Sequence, residues 1–425
     1  MSPLHFHVRR IFDAGSPSSE FSNQWKNPSD VFSVLLILGG DVVARALAQV
    51  SGSAVTPVAF SFGWVAYAVM AVVSAIGENR LMPLPDCACK VINGRTGYIR
   101  DNFSWIIGRM VRDYESWMDD GKENGPIHMR LNEMISERWE FDKHKAEKKK
   151  AGSGRHVAKP TQAGLCVSIY RASQAVPGCP GYDWIYKIGF ATSITQLGVA
   201  AIPCGVYGDW GILLVTSSGI LLSYAVGALT QWKREKWACR LNTDKVVVLT
   251  KGNGSQHAIV IIGDNKGLDF EDLATGPVTA DVCATSTTRA VVTVLAALWI
   301  LLLITAAGLH QNTWFLLAVG GIGMLQNIIV AGTRRTPKAF GVPLVPEDVI
   351  GEPKVMDTLF AVEEAYHRVG RSMRDTFFPG SLHPEEKKRW EELETVANAK
   401  DESMKKKSSN SDAGGPSTSG LRAEQ

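Results

Sequence analysis

Six long apolar runs, almost free of charge, constrain this chain more than any other feature. They cover residues 31–50, 58–77, 188–206, 210–230, 290–309 and 313–332, and inside them only Asp41 and Arg45 are charged. A helix that crosses a bilayer needs roughly 20 apolar residues, because it rises about 1.5 Å per residue through a hydrocarbon layer about 30 Å thick. A core helix of a water-soluble protein is shorter and carries a polar stripe at helical period, which these runs lack. The fold class that follows is mainly α: a polytopic helical membrane protein with six transmembrane helices in three hairpins, plus cytosolic α/β loop regions. A mean hydropathy of −0.01 hides this, because it averages the runs with the charged stretches between them.

The runs pair through short tips at 49–57, 207–209 and 310–312, none of which contains Lys or Arg. Arg9, Arg10, Lys233, Arg234, Lys236, Arg334 and Arg335 flank the opposite ends of the runs, so the positive-inside rule puts both termini and both long loops in the cytosol. Trp184, Trp210, Trp232 and Trp314 sit where an amphipathic ring marks a span boundary. A polar NPSD segment precedes the first run and no clear cleavage site follows it, so an uncleaved span is expected rather than a signal peptide. His5, His7, Arg9 and Arg10 precede any acidic residue, yet a long Arg-rich, acid-free helix is absent. The endomembrane system or plasma membrane is therefore expected rather than mitochondria. The chain divides into a cytosolic segment 1–30, a hairpin 31–77, a loop 78–187, a hairpin 188–230, a loop 231–289, a hairpin 290–332, a helical region 333–399 and a disordered tail 400–425.

The loop 78–187, about 110 residues, is large enough to fold by itself. Residues 96–119 place Ile99, Phe103, Ile106, Ile107, Met110, Tyr114 and Trp117 at three- and four-residue steps, which predicts an amphipathic helix. Asp101, Asp113 and Glu115 dilute its basic face, favouring packing within the loop over a seat on anionic lipid. Residues 138–150 end in three lysines suited to acidic headgroups, and 151–161 read as a basic linker. In the loop 231–289, the β-branched runs 245–250 and 257–262 flank Lys251-Gly252-Asn253-Gly254-Ser255-Gln256 and predict a β-hairpin. A phosphate cradle would need those glycines between a strand and a helix, so the turn reading is preferred. The acidic stretch 267–273 is expected to be one helical turn or a docking segment. Past residue 336, one amphipathic helix is expected over 354–376 and a charged one over 384–399.

Chemistry is harder to find. Asp41 and Arg45 lie one turn apart inside the first run, where each isolated charge costs about 2.5–3.5 kcal/mol, so the two are expected to pair away from lipid. With Gln196 and Asn327, and with Gln326 beside it, they are the candidate binding residues of an intramembrane polar cluster. Seven scattered cysteines, six of them on the expected cytosolic side, give no disulfide framework, and Cys87-Ala88-Cys89 is too tight for a zinc knuckle. No catalytic triad, paired-histidine motif or Walker loop occurs, so no catalytic residue, metal or cofactor is assigned. Lys148–Lys150 lack interleaved aromatic residues, so nucleic acid is not an expected partner.

The phrases NPSDVFSVLLILGGDVVARALAQ, PVAFSFGWVAYA, QWKREKWACR, LTKGNGSQH, LDFEDLATG and FFPG together resemble a group of uncharacterised multi-pass membrane proteins of filamentous fungi. That resemblance spans most of the chain outside the lysine-rich linker and the tail, and implies a fungal membrane protein without attaching an activity. The function expected from the residues is that of a non-enzymatic scaffold or regulatory subunit. Its cytosolic loops would bind a cytosolic or membrane protein partner, with the lipid bilayer as the other. The alternative is a small-solute or ion transporter using Asp41 and Arg45.

Overall fold

The computed structural model describes residues 39–148, 157–179, 181–279 and 282–412. In chain order the helices and strands begin with α1 (Gly40–Val50), α2 (Gly63–Gly77), β1 (Lys90–Asn93), β2 (Ile99–Asp101), α3 (Trp105–Arg112), α4 (Tyr114–Trp117), α5 (Pro126–Lys148) and β3 (Cys166–Ala172). Next come α6 (Trp184–Tyr207), α7 (Gly211–Gly227), α8 (Thr230–Lys236), β4 (Leu241–Thr243), β5 (Val246–Thr250), β6 (His257–Ile262), β7 (Gly267–Leu268) and α9 (Phe270–Thr275). The last are α10 (Ser286–Ala307), α11 (Thr313–Gly332), β8 (Leu344–Gly351), α12 (Val355–Ala365), α13 (Val369–Phe377) and α14 (Pro384–Asp412). They form two compact units, one from residues 1–84, 176–238 and 276–341, the other from 85–175, 239–275 and 342–425.

The first unit is a helical bundle. Three of its helices, α6, α10 and α11, are long and apolar enough to cross a bilayer, and α7 joins them if it is taken with α8 across a bend of 42°. Six full-length spans are not what the first two runs deliver. In the second, residues 58–62 are not helical and α2 has 15 residues; in the first, the described helix has 11, and residues 31–38 lie outside the described residues. The connections at 208–210 and 308–312 meet where the Asn312 amide donates to Asp209 (3.1 Å).

The second unit is a three-layer α/β sandwich around a six-stranded sheet ordered β2-β1-β5-β6-β3-β8. The expected hairpin is present: β5 and β6 pair antiparallel with Val248 opposite Val260, and β6 runs parallel to β3. Period-two alternation gives each strand two faces. Val167, Ile169, Val248 and Val260 form one core with Leu359, Phe360 and Met373 of α12 and α13. On the facing register Cys166 lies opposite His257 and Ser168 opposite Ile259. Pro346, which cannot donate to a ladder, sits in the edge strand β8 where the register shifts.

Several boundaries differ from the sequence reading. The expected helix over 96–119 starts only at Trp105, because Ile99–Asp101 pair with β1. Its Arg109 is buried and paired with Asp86 at 2.8 Å rather than facing water. The single helix expected over 354–376 is two: α12 ends where Tyr366 turns extended, and Arg368, at a φ of 70°, stands at the start of α13, where the buried Glu363 carboxylate accepts from Arg368 N and Arg371 N. The 267–273 stretch is built into the unit rather than free to dock, since buried Asp269 and Glu271 both receive Lys245 Nζ (2.8 and 2.9 Å). The tail does not begin at residue 400, for α14 runs to Asp412.

Candidate functional site

The departure from regular structure at 51–62 defines the site. Pro57 lacks an amide hydrogen and disfavours helix in the residue before it, and the chain stays out of regular structure until Gly63 starts α2. From Thr56 onward this stretch is not on the surface: Val58 and Ala59 are fully buried, Phe60 and Phe62 nearly so. An extended backbone inside an apolar bundle leaves its peptide groups without the partners a helix provides, a cost of several kcal/mol each in hydrocarbon. Side chains provide them instead. Gln326 Oε1 accepts from Ala59 N (3.2 Å), Asn327 Nδ2 donates to Ala59 O (3.3 Å) and Ser61 Oγ (3.0 Å), and Gln196 Nε2 donates to Phe60 O (2.6 Å) and Val319 O (2.9 Å). Thr56 Oγ1 donates to Gly227 O (2.8 Å) and Trp64 Nε1 to Ala59 O (2.8 Å).

Glycines on three helices make the room. A Cβ on Gly189 would overlap the Pro57 carbonyl oxygen, and one on Gly323 the Phe60 carbonyl oxygen. Gly219 and Gly320 do the same for the rings of Phe60 and Phe62. Phe60 and Trp64 each stack on Trp299, with interplanar angles of 14° and 9°. After these bonds are made, Gln196 Oε1, Gln326 Nε2 and Asn327 Oδ1 remain buried without a partner.

The lower limb of the stretch is fixed by charge. Lys236 Nζ donates to Ser51 O (2.9 Å) and Gln49 O (3.2 Å), capping the carbonyl end of α1, where the helix dipole favours a cation. Arg335 Nη1 donates to Gln49 O (2.8 Å) while the same guanidinium grips Asp183 through two bonds of 2.8 and 2.9 Å. Lys236 and Arg335 are only 2% and 4% exposed. Glu235, also buried, accepts from Leu81 N, Met82 N and Gln231 Nε2.

The four expected site residues therefore separate. Gln196 and Asn327 meet at the 51–62 stretch, with Gln326 as a third member. Asp41 and Arg45 do pair, at 2.9 Å, but on the surface of α1, with 63% and 44% of their side chains exposed. Sequence reasoning missed Gln231, Glu235, Lys236 and Arg335, taking the basic ones as boundary charges. A signal was present: Gln231 and Glu235, and Trp232 and Lys236, are spaced i,i+4 and share one buried face of α8.

In the second unit a cleft of about 310 Å³ opens between α3–α4 and the β5–β6 turn, lined among others by Arg112, Tyr114, Glu115, Lys251 and His257. Burial lowers the His257 pKa, keeping its imidazole neutral at pH 7. Burial also pushes the Cys89, Cys166 and Cys239 thiols up to about 12, so none supplies a thiolate nucleophile at neutral pH. Among the described residues no group of three or more His, Cys, Asp or Glu is placed to hold a metal ion. No family model, curated protein or solved structure matches the chain.

Proposed function

We propose that the chain is an integral, multi-pass membrane protein that works as a scaffold or regulatory subunit through its α/β unit on the cytosolic side. The observation that carries this reading is that three separate stretches, 85–175, 239–275 and 342–412, fold into one sandwich with its own core. Connectors between membrane helices are ordinarily short, whereas here two long ones and the region after the last helix together build one domain with its own water-facing surface. The positive-inside rule assigns that surface to the cytosol and the 208–210 and 308–312 connections to the opposite side. Endomembranes or the plasma membrane are the expected location.

The test is purification from native membranes after cross-linking, with the cross-linked sites mapped. A stoichiometric protein joined through the α/β stretches supports the reading; a chain recovered alone, with cross-links only to copies of itself, refutes it.

A second reading, transport of a small polar solute or ion, is favoured by the unspent ends of Gln196, Gln326 and Asn327 rather than by the exposed Asp41–Arg45 pair. Non-helical backbone at membrane depth is tolerated where protein surrounds it or where it lines a polar path. Vesicle flux that persists in a Gln196→Leu/Asn327→Leu variant of normal fold would remove that reading.

A further inference from the structure

Resting on the membrane reading above, we infer that residues 51–77 form a re-entrant hairpin, entering the bilayer extended and leaving it as α2 on the side it came from, rather than half of a transmembrane pair.

Four sets of contacts fix the directions. The start of α1 lies against the start of α2, since a Cβ on Gly63 would fall 2.8 Å from the Gly39 carbonyl carbon and one on Gly40 3.1 Å from Tyr67 N. Both helices therefore begin together. The end of α1 is held by Lys236 and Arg335, and the Gln49 amide donates to Thr333 O (2.9 Å) just past the end of α11. The end of α2 reaches the same end of the bundle. Asn79 O accepts from Ala284 N (2.7 Å), and its Oδ1 accepts from Arg289 Nη2 (2.6 Å), at the start of α10. Between the two helices the extended stretch climbs in steps: Thr56 at Gly227, where α7 ends, Pro57 at Gly189 in the first turns of α6, Phe60 at Gly323 and Phe62 at Gly320, midway along α11.

The 49–57 tip therefore sits at the end of the bundle shared by Asp183, Lys236, Ala284 and Thr333, not at the end that carries Asp209 and Asn312. Length agrees, for a 15-residue helix spans about 22 Å, short of the hydrocarbon thickness of about 30 Å. The amides of Gln196, Gln326 and Asn327 sit at the turning point, where the backbone has no helical partners.

Single cysteines in an otherwise cysteine-free full-length chain, probed in sealed vesicles of known orientation with a membrane-impermeant maleimide, test this. Ala54→Cys and Val55→Cys are both at exposed positions of the tip, Glu78→Cys follows α2, and Gln311→Cys reports the opposite end. The inference expects Ala54→Cys and Val55→Cys to label from the Glu78→Cys side, with Gln311→Cys at least tenfold faster from the other. Labelling of the tip from the Gln311→Cys side overturns it and restores the transmembrane pair. If all four positions label from both sides and alkaline carbonate extracts the chain, the membrane reading itself fails and takes the inference with it. Using two tip variants keeps the result readable if one of them misfolds.

Discussion

Gly323→Ala tests most directly whether the buried stretch is held as described. The added methyl would overlap the Phe60 carbonyl oxygen and stand 2.6 Å from Gln196 Nε2, so the Gln196 bond to Phe60 has to break or α11 has to move. Overpacking costs about 1–3 kcal/mol, and stranding a buried carbonyl about 1–3 kcal/mol more. The helix-propensity gain of alanine over glycine returns about 1 kcal/mol. The net destabilisation is about 1–5 kcal/mol. Gly321, two residues away on the same helix, has no atom within 4 Å of its would-be Cβ, so Gly321→Ala keeps the propensity gain alone. At about 2–4 °C per kcal/mol for a unit of this size, the two variants should melt on the order of 10 °C apart. Heating the full chain in mild detergent and following the surviving monodisperse peak by size-exclusion fluorescence measures that gap. Equal melting of Gly323→Ala and Gly321→Ala would show that no carbonyl lies against Gly323.

Three further outcomes are expected. Replacing Asp41 with Asn and Arg45 with Met together removes two charges from the outer surface of α1 and should not lower the melting temperature, and a collapse of it would place the pair in the interior after all. Burial alone would raise the Glu271 pKa, but hydrogen bonds from Lys245 and Asn93 outweigh it and hold the carboxyl below its ordinary 4.5. Its stabilising contribution is therefore present above about pH 4.5 and lost as pH falls through the lower folded value. Lys245→Met should cost stability at pH 7 and flatten the acid limb of a pH-melting series, whereas a limb parallel to that of the unaltered protein contradicts the assignment. Asn102 and Asn253 head glycosylation sequons on a unit that we propose faces the cytosol, so glycosidase should leave the electrophoretic mobility unchanged. A shift mapping to Asn253, in the exposed β5–β6 turn, would put the α/β unit on the other face of the membrane.

Local patterns carried far in this sequence. The β-branched runs around Lys251–Gln256 specified a hairpin that forms where expected, and the apolar runs at 188–206, 290–309 and 313–332 became long helices, because in each the local pattern needs no distant partner to satisfy its backbone. The run at 58–77 misled for a physical reason. Hydropathy counts apolar residues and is blind to backbone partners, and here distant Gln196, Gln326 and Asn327 let Val58, Ala59, Phe60 and Ser61 stay non-helical in the interior. The same blindness hid Lys236 and Arg335, whose charge looks like a boundary marker until the carbonyls of Gln49 and Ser51 are brought to them from nearly two hundred residues or more away. Sequence placed Gln196 and Asn327 in one cluster on polarity alone; it had no means to exclude Asp41 and Arg45, whose exposure depends on which face of α1 meets its neighbours.

The discontinuous make-up of the sandwich sets a timetable for its manufacture. Strand β3 leaves the ribosome before either of its partners exists, since β6 follows about 90 residues later and β8 nearly 180, an interval of roughly 9–36 s at 5–20 residues per second. Every described helix long and apolar enough to cross a bilayer is synthesised within that wait. Only when α12 and α13 emerge can the face formed by Val167, Ile169, Val248 and Val260 be covered. A chain cut short after Gly332 would thus hold all of these helices and still display a naked, aggregation-prone strand surface, the kind of mark that cellular quality control reads. Completion of the sheet is in this sense a built-in certificate that everything upstream has been made.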